Sequence, residues 1–172
     1  MQRLFFRPLH SKMLDFLVQM GPKDPQRILD VGCGTGRLLR AASLRWPEAQ
    51  YVGVDPAERM ISEARRLNPD AIFKLAPAKS LPFPDQSADL VLTSLSFHHW
   101  ADQQKGIQEI VRVFRLGGFF CLADHTFALA RLLNEKTRSG AQIRAMLTGA
   151  GLAIRQQQKL PVPFVLIQLA QK

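Results

Sequence analysis

The sequence has little that suggests a membrane-spanning or secreted protein. No apolar run approaches the ~18 residues that a membrane-spanning helix needs, and residues 1–10 lack the continuous apolar region of a secretory signal. Two cysteines, Cys33 and Cys121, are too few for a disulfide framework and are typical of isolated reduced thiols. We therefore expect a cytoplasmic protein.

The chain is also too short for a second substrate domain. Its 172 residues, of which 47% are hydrophobic, suffice for one domain with a core. The sequence contains no internal repeat, low-complexity run or linker. We expect a single domain, with an N-terminal helix and tail in residues 1–26, a core in residues 27–126, and a helix and β-hairpin in residues 127–172.

Short apolar strands alternate with helical patterns along most of the chain. The predicted strands cover residues 27–31, 51–54, 71–75, 88–96, 119–123, 153–160 and 164–170. Strands that alternate with helices predict a parallel sheet covered on both faces. Pro161 and Pro163 bracket a reversal, so the last strand is expected to run antiparallel. The expected fold class is α/β, a doubly wound sheet of seven strands, mostly parallel with an antiparallel C-terminal strand.

Helices are indicated by apolar spacing and by capping residues. The first pattern consists of Leu9, Met13, Phe16, Leu17 and Met20. Pro8 is expected near the start of this helix, after a tail, and Gly21 is expected at its end. Further helical patterns cover residues 37–46, 60–67 and 107–114, and a capping box at Ser139 and Gln142 opens the last one.

The first strand runs into three glycines at alternate positions, Gly32, Gly34 and Gly36. Glycine lacks a Cβ atom and tolerates positive φ, so such a turn brings the main chain close to a ligand. The third glycine falls one residue earlier than the dinucleotide-binding fingerprint requires, because Arg37 occupies the sixth place. A nucleotide-like cofactor is the first hypothesis.

The second strand ends in Asp55, nineteen residues beyond Gly36. A carboxylate at this point can accept hydrogen bonds from both hydroxyls of a ribose. Each charge-assisted bond of this kind contributes roughly 1.5 to 3 kcal/mol. The glycine turn and Asp55 together therefore favour a ribosylated ligand.

Two later segments, residues 81–91 and 109–118, complete a recognisable set of motifs. With them the sequence resembles the class I S-adenosylmethionine-dependent methyltransferases, in the type 11 branch that includes quinone-biosynthesis enzymes. The resemblance covers about Ile28 to Thr126. It implies a Rossmann-like fold, S-adenosylmethionine as cofactor with S-adenosylhomocysteine as product, and no particular acceptor.

The resemblance also implies roles for individual residues. The glycine turn and Asp30 would hold the methionine part of the cofactor, Met60 would pack on the adenine, and the backbone around Ala78 would read its edge. The full set of implied cofactor-binding residues is Asp30, Gly32, Cys33, Gly34, Gly36, Asp55, Pro56, Met60, Ala78, Thr93, Ser94 and Leu95. Pro77 and Lys79 depart from the family pattern, because relatives usually carry an acidic residue in this segment.

His98 and His99 follow the fourth strand at the carboxyl edge of the sheet, where open α/β sheets bind ligands. Either is a candidate general base, and such a base adds ~10² to 10⁴ in rate. The alternative is that the histidine only stabilises the loop before Trp100. Trp100 and Phe97 could form the wall of an apolar acceptor pocket. Asp124 and the adjacent His125 could form a pair of their own. A third metal ligand at suitable spacing is not evident, so no metal site is expected.

The formal charge of +9 is concentrated in the two flanks, since residues 1–29 carry +3, residues 30–125 carry zero and residues 126–172 carry +6. In the resembled family these flanks roof the acceptor site, so we infer an anionic acceptor, an acidic carrier or an anionic surface. The alternative is a solvated basic surface. Arg3 and Arg7, with Phe5 and Phe6 between them, also leave peripheral contact with a membrane open.

The leading hypothesis is a methyltransferase that acts on a small, anionic acceptor. RNA methylation is an alternative favoured by the basic charge, although residues 94–97 read Ser-Leu-Ser-Phe and lack the motif used for flipped bases. A nonenzymatic cofactor-binding or assembly protein is a third alternative. The oligomeric state does not follow from the sequence.

Overall fold

The computed structural model describes the backbone of residues 2–126, 134–160 and 165–172, and the side chains within these ranges from Pro8 onward. The helices are α1 (Gln2–Met20), α2 (Arg37–Ala42), α3 (Glu58–Leu67), α4 (Gln103–Val113) and α5 (Gly140–Gly149). The strands are β1 (Arg27–Val31), β2 (Gln50–Asp55), β3 (Ile72–Leu75), β4 (Ala88–Ser94), β5 (Phe114–His125), β6 (Ala153–Lys159) and β7 (Val165–Gln171). A single 3₁₀ turn, Phe97–His99, follows β4.

The seven strands form one sheet in the order β3-β2-β1-β4-β5-β7-β6. Strands β1 to β5 pair in parallel, and β7 runs antiparallel to both of its neighbours. This confirms the predicted α/β fold with an antiparallel C-terminal strand. The chain order reverses between β1 and β4, so a crevice opens where their carboxyl ends diverge, as is usual for ligand sites in such sheets.

Two apolar clusters cover the two faces of the sheet. One contains residues of α1, α2 and α3, and the other contains residues of α4 and α5. Successive strand residues alternate between them, since Ile28 lies in the first cluster and Leu29 in the second. Because both faces are covered, the strands are apolar without the alternation of a half-exposed sheet.

The first helix begins earlier than predicted. It runs from Gln2 and contains Pro8 in its interior, so the expected tail at residues 2–7 is helical. Proline removes one intrahelical hydrogen bond, but the helix is held by its buried side, which includes Leu9 and Leu17. Met20 is 41% exposed rather than part of that side, because the helix ends there. The side chains of Arg3, Phe5, Phe6 and Arg7 lie outside the described residues.

The boundary between α4 and β5 also differs from the prediction. Phe114 was expected in the helix, but it is the first residue of β5 and pairs with Ala88. The strand then shifts register before Phe119 pairs with Leu90, with Gly117 at φ +76° between them. A bulge of this kind interrupts the strand pattern, and the helical spacing of Phe114 concealed it.

The capping box predicted for the last helix is present. Ser139 Oγ accepts a hydrogen bond from Gln142 N at 3.2 Å, and Gln142 Oε1 accepts one from Ser139 N at 2.9 Å. The reversal expected at Pro161 and Pro163 lies outside the described residues, as does residue range 127–133. Among the described residues, no helix combines the length and hydrophobicity needed to cross a bilayer.

Candidate functional site

The glycine turn after β1 has the conformation that its sequence requires. Gly32, Gly34 and Gly36 have φ of +77°, +52° and +72°, which L-residues with side chains rarely adopt. A Cβ at Gly32 would lie 1.7 Å from Ser96 Oγ, whereas a Cβ at Gly34 would have nothing within 4 Å. The turn therefore packs tightly at its start and opens at its centre.

A cavity of about 720 Å³ opens beside this turn. This volume lies within the usual range for small-molecule sites. The predicted cofactor residues that line it are Asp30, Gly32, Cys33, Gly34, Asp55, Pro56, Met60, Ala78, Ser94 and Leu95. Of the two candidate bases, His99 lines the cavity and His98 does not.

Two predicted cofactor residues support the walls instead of lining the cavity. Thr93 is fully buried, and its Oγ1 donates a hydrogen bond to Val31 O at 2.8 Å. Successive side chains of a strand point to opposite faces of the sheet, so Thr93 and the adjacent Ser94 do not face the same side. Gly36 packs against Asn68 and Phe73, and an added Cβ would lie 2.6 and 3.0 Å from them. The sequence pattern predicted a place at the carboxyl edge of the sheet for both residues, but it did not resolve which way their side chains or main chain face.

Asp55 has a structural role that the sequence did not reveal. Its Oδ2 accepts a hydrogen bond from Gly34 N at 3.0 Å, and its Oδ1 accepts one from Ala57 N at 2.9 Å. Gly32 N and Cys33 N both donate to the preceding Val54 O, at 2.8 and 2.9 Å. These bonds fix the carboxylate and the glycine turn relative to each other.

Asp30 is the most deeply buried carboxylate of the cavity. It is 2% exposed, and its Oδ1 has no hydrogen-bond partner within the described part of the chain. Burial, followed by the charge of Asp55, raises the pKa of Asp30 to about 8. The unpartnered oxygen argues against a purely structural role in which backbone amides of the turn satisfy this carboxylate.

The two adjacent histidines have different surroundings. His98 Nδ1 lies 2.6 Å from Asp124 Oδ1, and His98 N donates to Asp124 Oδ2 at 2.9 Å. His99 faces the cavity, and burial, followed by the charge of His98, lowers its pKa, with Asp124 opposing this shift. His99 is therefore neutral near pH 7 and able to accept a proton.

Asp124 contacts the His98 side chain, whereas the sequence also allowed a pair with the adjacent His125. Asp124 pairs with the His98 ring, and His125 contributes its main-chain nitrogen, which donates to Asp124 Oδ1 at 2.7 Å. Neighbours on a strand point to opposite faces, so an adjacent residue is poorly placed to share a carboxylate. Within the described residues, no group of three or more potential ligands could hold a metal ion.

Other lining residues were not predicted from the sequence. His10 of α1 and Arg37 of α2 line the cavity, and burial, followed by the charge of Arg37, lowers the pKa of His10 to about 4. Only the packing of α1 beside the glycine turn brings His10 here, so no local pattern could have found it. Trp100 lines the cavity as expected, whereas Phe97 is 1% exposed and lies in the core.

Residues 29–122 match the family model described as a methyltransferase domain. An uncharacterized methyltransferase of Mycobacterium tuberculosis is 31% identical over 147 residues, covering 86% of this chain and 57% of that protein. The demethylmenaquinone methyltransferase of Thermus thermophilus is 40% identical over 100 residues, covering 56% of this chain and 46% of that protein. The chain thus spans about half to three fifths of the length of these curated relatives.

A solved structure from Haloferax volcanii has a similar fold. It is a methyltransferase in complex with the Trm112 methyltransferase activator, with a TM-score of 0.83 and 22% identity, covering 99% of this chain and 92% of that one. At this identity the likeness concerns the fold alone.

Proposed function

Because this chain belongs to the methyltransferase domain family, and so to the class I S-adenosylmethionine-dependent methyltransferases, we propose that it methylates a small, anionic acceptor. The observation that carries this proposal is the shared cavity. The glycine turn, the Asp55 carboxylate and the neutral His99 ring all line one space at the carboxyl edge of the sheet. A cofactor and an acceptor held in this space would be adjacent.

The residues present fit the cofactor. The open space over Gly34 allows main-chain atoms to approach a ligand, and the fixed carboxylate of Asp55 retains lone pairs for ribose hydroxyls. The unpartnered Oδ1 of Asp30 can accept a hydrogen bond from an ammonium group. When bound, S-adenosylmethionine supplies a methyl group already activated by its sulfonium.

The chain contributes alignment and a place for a proton. Holding two reactants in the correct geometry can lower the activation free energy by roughly 7 to 11 kcal/mol. A neutral ring nitrogen of His99 accepts the proton that a hydroxyl or acidic carbon of the acceptor releases. Trp100 lines the same cavity with its indole held by a hydrogen bond from Nε1 to Ser96 Oγ at 3.0 Å, so it offers a fixed apolar wall.

An anionic acceptor is supported by charge. The cations Arg37 and Lys79 line the cavity together with the carboxylates already described. A second opening beside Trp100 is lined by Lys136 and Arg138 from the basic C-terminal flank, and also by Asp102 and Glu135. A small-molecule acceptor is consistent with the Thermus relative, a demethylmenaquinone methyltransferase.

RNA methylation is the second candidate, and the net charge of +9 is the observation that favours it. The Haloferax neighbour is an example of this fold assembled with an activator protein. Binding of a partner protein is therefore a further possibility to test. Binding of the cofactor without turnover is another.

Mass spectrometry of cell extracts incubated with isotopically labelled S-adenosylmethionine tests the proposal. We expect label in small anionic molecules with the protein and not with its Asp55→Ala variant. Label in RNA alone would transfer the assignment to the second candidate. If calorimetry detects binding of neither S-adenosylmethionine nor S-adenosylhomocysteine, the cofactor assignment is wrong.

A further inference from the structure

The Asp124 carboxylate is buried and saturated with hydrogen bonds. It is 1% exposed and lies at the end of β5. Its Oδ2 accepts from His98 N at 2.9 Å, and its Oδ1 accepts from His125 N at 2.7 Å and contacts His98 Nδ1 at 2.6 Å. These three contacts make the carboxylate a fixed anchor.

This anchor holds both the main chain and the ring of His98. Two side-chain amides also hold the 3₁₀ turn: Gln103 Nε2 donates to Phe97 O at 3.0 Å, and Asn134 Nδ2 donates to His98 O at 3.2 Å. The ring centroids of His98 and His99 are 4.0 Å apart. The orientation of His99 therefore depends on a ring that is itself tied to β5.

We infer that Asp124 and His98 are positioning residues, which keep the ring of His99 against the cavity where it can accept a proton. This inference rests on the proposed function for the role of His99. A carboxylate oxygen accepts hydrogen bonds, so the contact between Asp124 Oδ1 and His98 Nδ1 assigns a proton to that ring nitrogen. His98 thus serves as a spacer between Asp124 and His99.

Replacement of Asp124 by asparagine distinguishes two roles of the carboxylate, because positioning of His99 and a purely electrostatic effect predict opposite changes in the pKa of His99. The amide of asparagine has one accepting oxygen and an NH₂ that cannot accept, so it cannot satisfy the three donors. If Asp124 positions His99, the Asp124→Asn variant releases His99 toward solvent, and its pKa rises toward the ordinary value. If Asp124 acts only through its charge, removal of the carboxylate removes the one influence that raises the pKa of His99, which then falls.

The Asp124→Asn variant changes only one of the charged and titratable groups around His99. They are His98 on the turn, Asp124 on β5, and, among the residues that line the cavity, Asp30, Asp55, His10, Arg37, Lys79 and Asp102. Only Asp124 is changed. The chain has four histidines, so their ring resonances can be assigned by substitution.

The measurement is an NMR titration of the histidine rings in the full chain, free and with S-adenosylhomocysteine. We expect His99 to titrate at higher pH in Asp124→Asn than in the wild type. A lower or unchanged pKa in a folded variant would overturn the inference. Asp89→Asn is the matched control, because Asp89 also accepts two main-chain bonds, from Gln26 and Arg27 at 2.9 and 2.7 Å, but does not line the cavity. We expect it to leave the pKa of His99 unchanged.

A second variant keeps the test informative if Asp124→Asn does not fold. His98→Ala leaves the buried carboxylate in place and removes the spacer. In the wild type we expect S-adenosylhomocysteine to change the chemical shift of the His99 ring. In His98→Ala we expect this change to be absent. Retention of this change would contradict the inference, whereas an absent change in the wild type itself would count against the proposed cofactor site.

Discussion

Asp55 Oδ2 accepts a hydrogen bond from Gly34 N at 3.0 Å, across 21 residues of sequence. This contact joins the end of β2 to the centre of the glycine turn after β1. The residue proposed to bind the ribose thus also fixes the turn proposed to hold the methionine part of the cofactor. A change at either residue is expected to affect both parts of the site.

Replacement of Asp55 by alanine should abolish cofactor binding. Loss of two charge-assisted bonds to a ribose costs roughly 3 to 6 kcal/mol, so the affinity for S-adenosylhomocysteine should fall at least ~100-fold. The unpaired amides of Gly34 and Ala57 should also lower the free energy of unfolding by about 1 to 3 kcal/mol. Calorimetry and urea denaturation measure the two effects. Asp15→Ala, which removes an exposed ion pair with Arg45, is the control and should change neither substantially.

Replacement of Gly34 by valine should block the cavity and leave the fold largely intact. A Cβ here meets no protein atom within 4 Å, so we expect the valine side chain to project into the space proposed for the cofactor. Gly117→Val is a matched control, because Gly117 also has positive φ and nothing within 4 Å, but does not line the cavity. Both variants should lose similar stability, and only Gly34→Val should lose binding. Equal affinity in the two would disprove the assignment of the turn.

The free energy of unfolding should decrease as the pH rises, because of the raised pKa of Asp30. Its pKa is about 8 in the folded chain against 3.8 unfolded, so its contribution is complete below pH 3.8 and is lost as the pH rises toward 8. Within this window the native state retains a proton that the unfolded state has released, which corresponds to a slope of about 1.4 kcal/mol per pH unit.

The difference between wild type and Asp30→Asn isolates this effect from other titrating groups such as His10. We expect the free energy of unfolding of Asp30→Asn, relative to wild type, to increase between pH 5 and pH 8. Chemical denaturation at several pH values measures this. A constant difference across the window would show that Asp30 ionises normally in the folded chain.

Replacement of His99 by glutamine should impair turnover more than binding. Loss of a general base lowers the rate by ~10² to 10⁴, whereas affinity for S-adenosylhomocysteine should change by no more than about threefold. The assay requires the acceptor found by isotopic labelling. His125→Gln, at a histidine outside the cavity lining, should have a smaller effect on turnover. Turnover unchanged in His99→Gln would remove this residue from the chemistry.

The sequence predicted most of the fold because its signals are local. Apolar strands followed by helical spacing indicate a doubly wound sheet wherever they occur, and Ser139 with Gln142 specifies a helix start without reference to the rest of the chain. The errors lie where local patterns conflict with packing. Pro8 is inside a helix because buried neighbours hold that helix, and Phe114 has helical spacing but pairs with β4.

The candidate site divides in the same way. The glycine turn could be predicted because its three glycines have positive φ, which glycine adopts most easily. The aspartate could be predicted because it directly follows an apolar strand in the sequence. The partner of a side chain is set by which strands and helices lie together, and this adjacency joins residues far apart in sequence. Tertiary structure alone decided that Asp124 binds His98, 26 residues away, instead of its neighbour His125, and that the first helix brings His10 to the cavity.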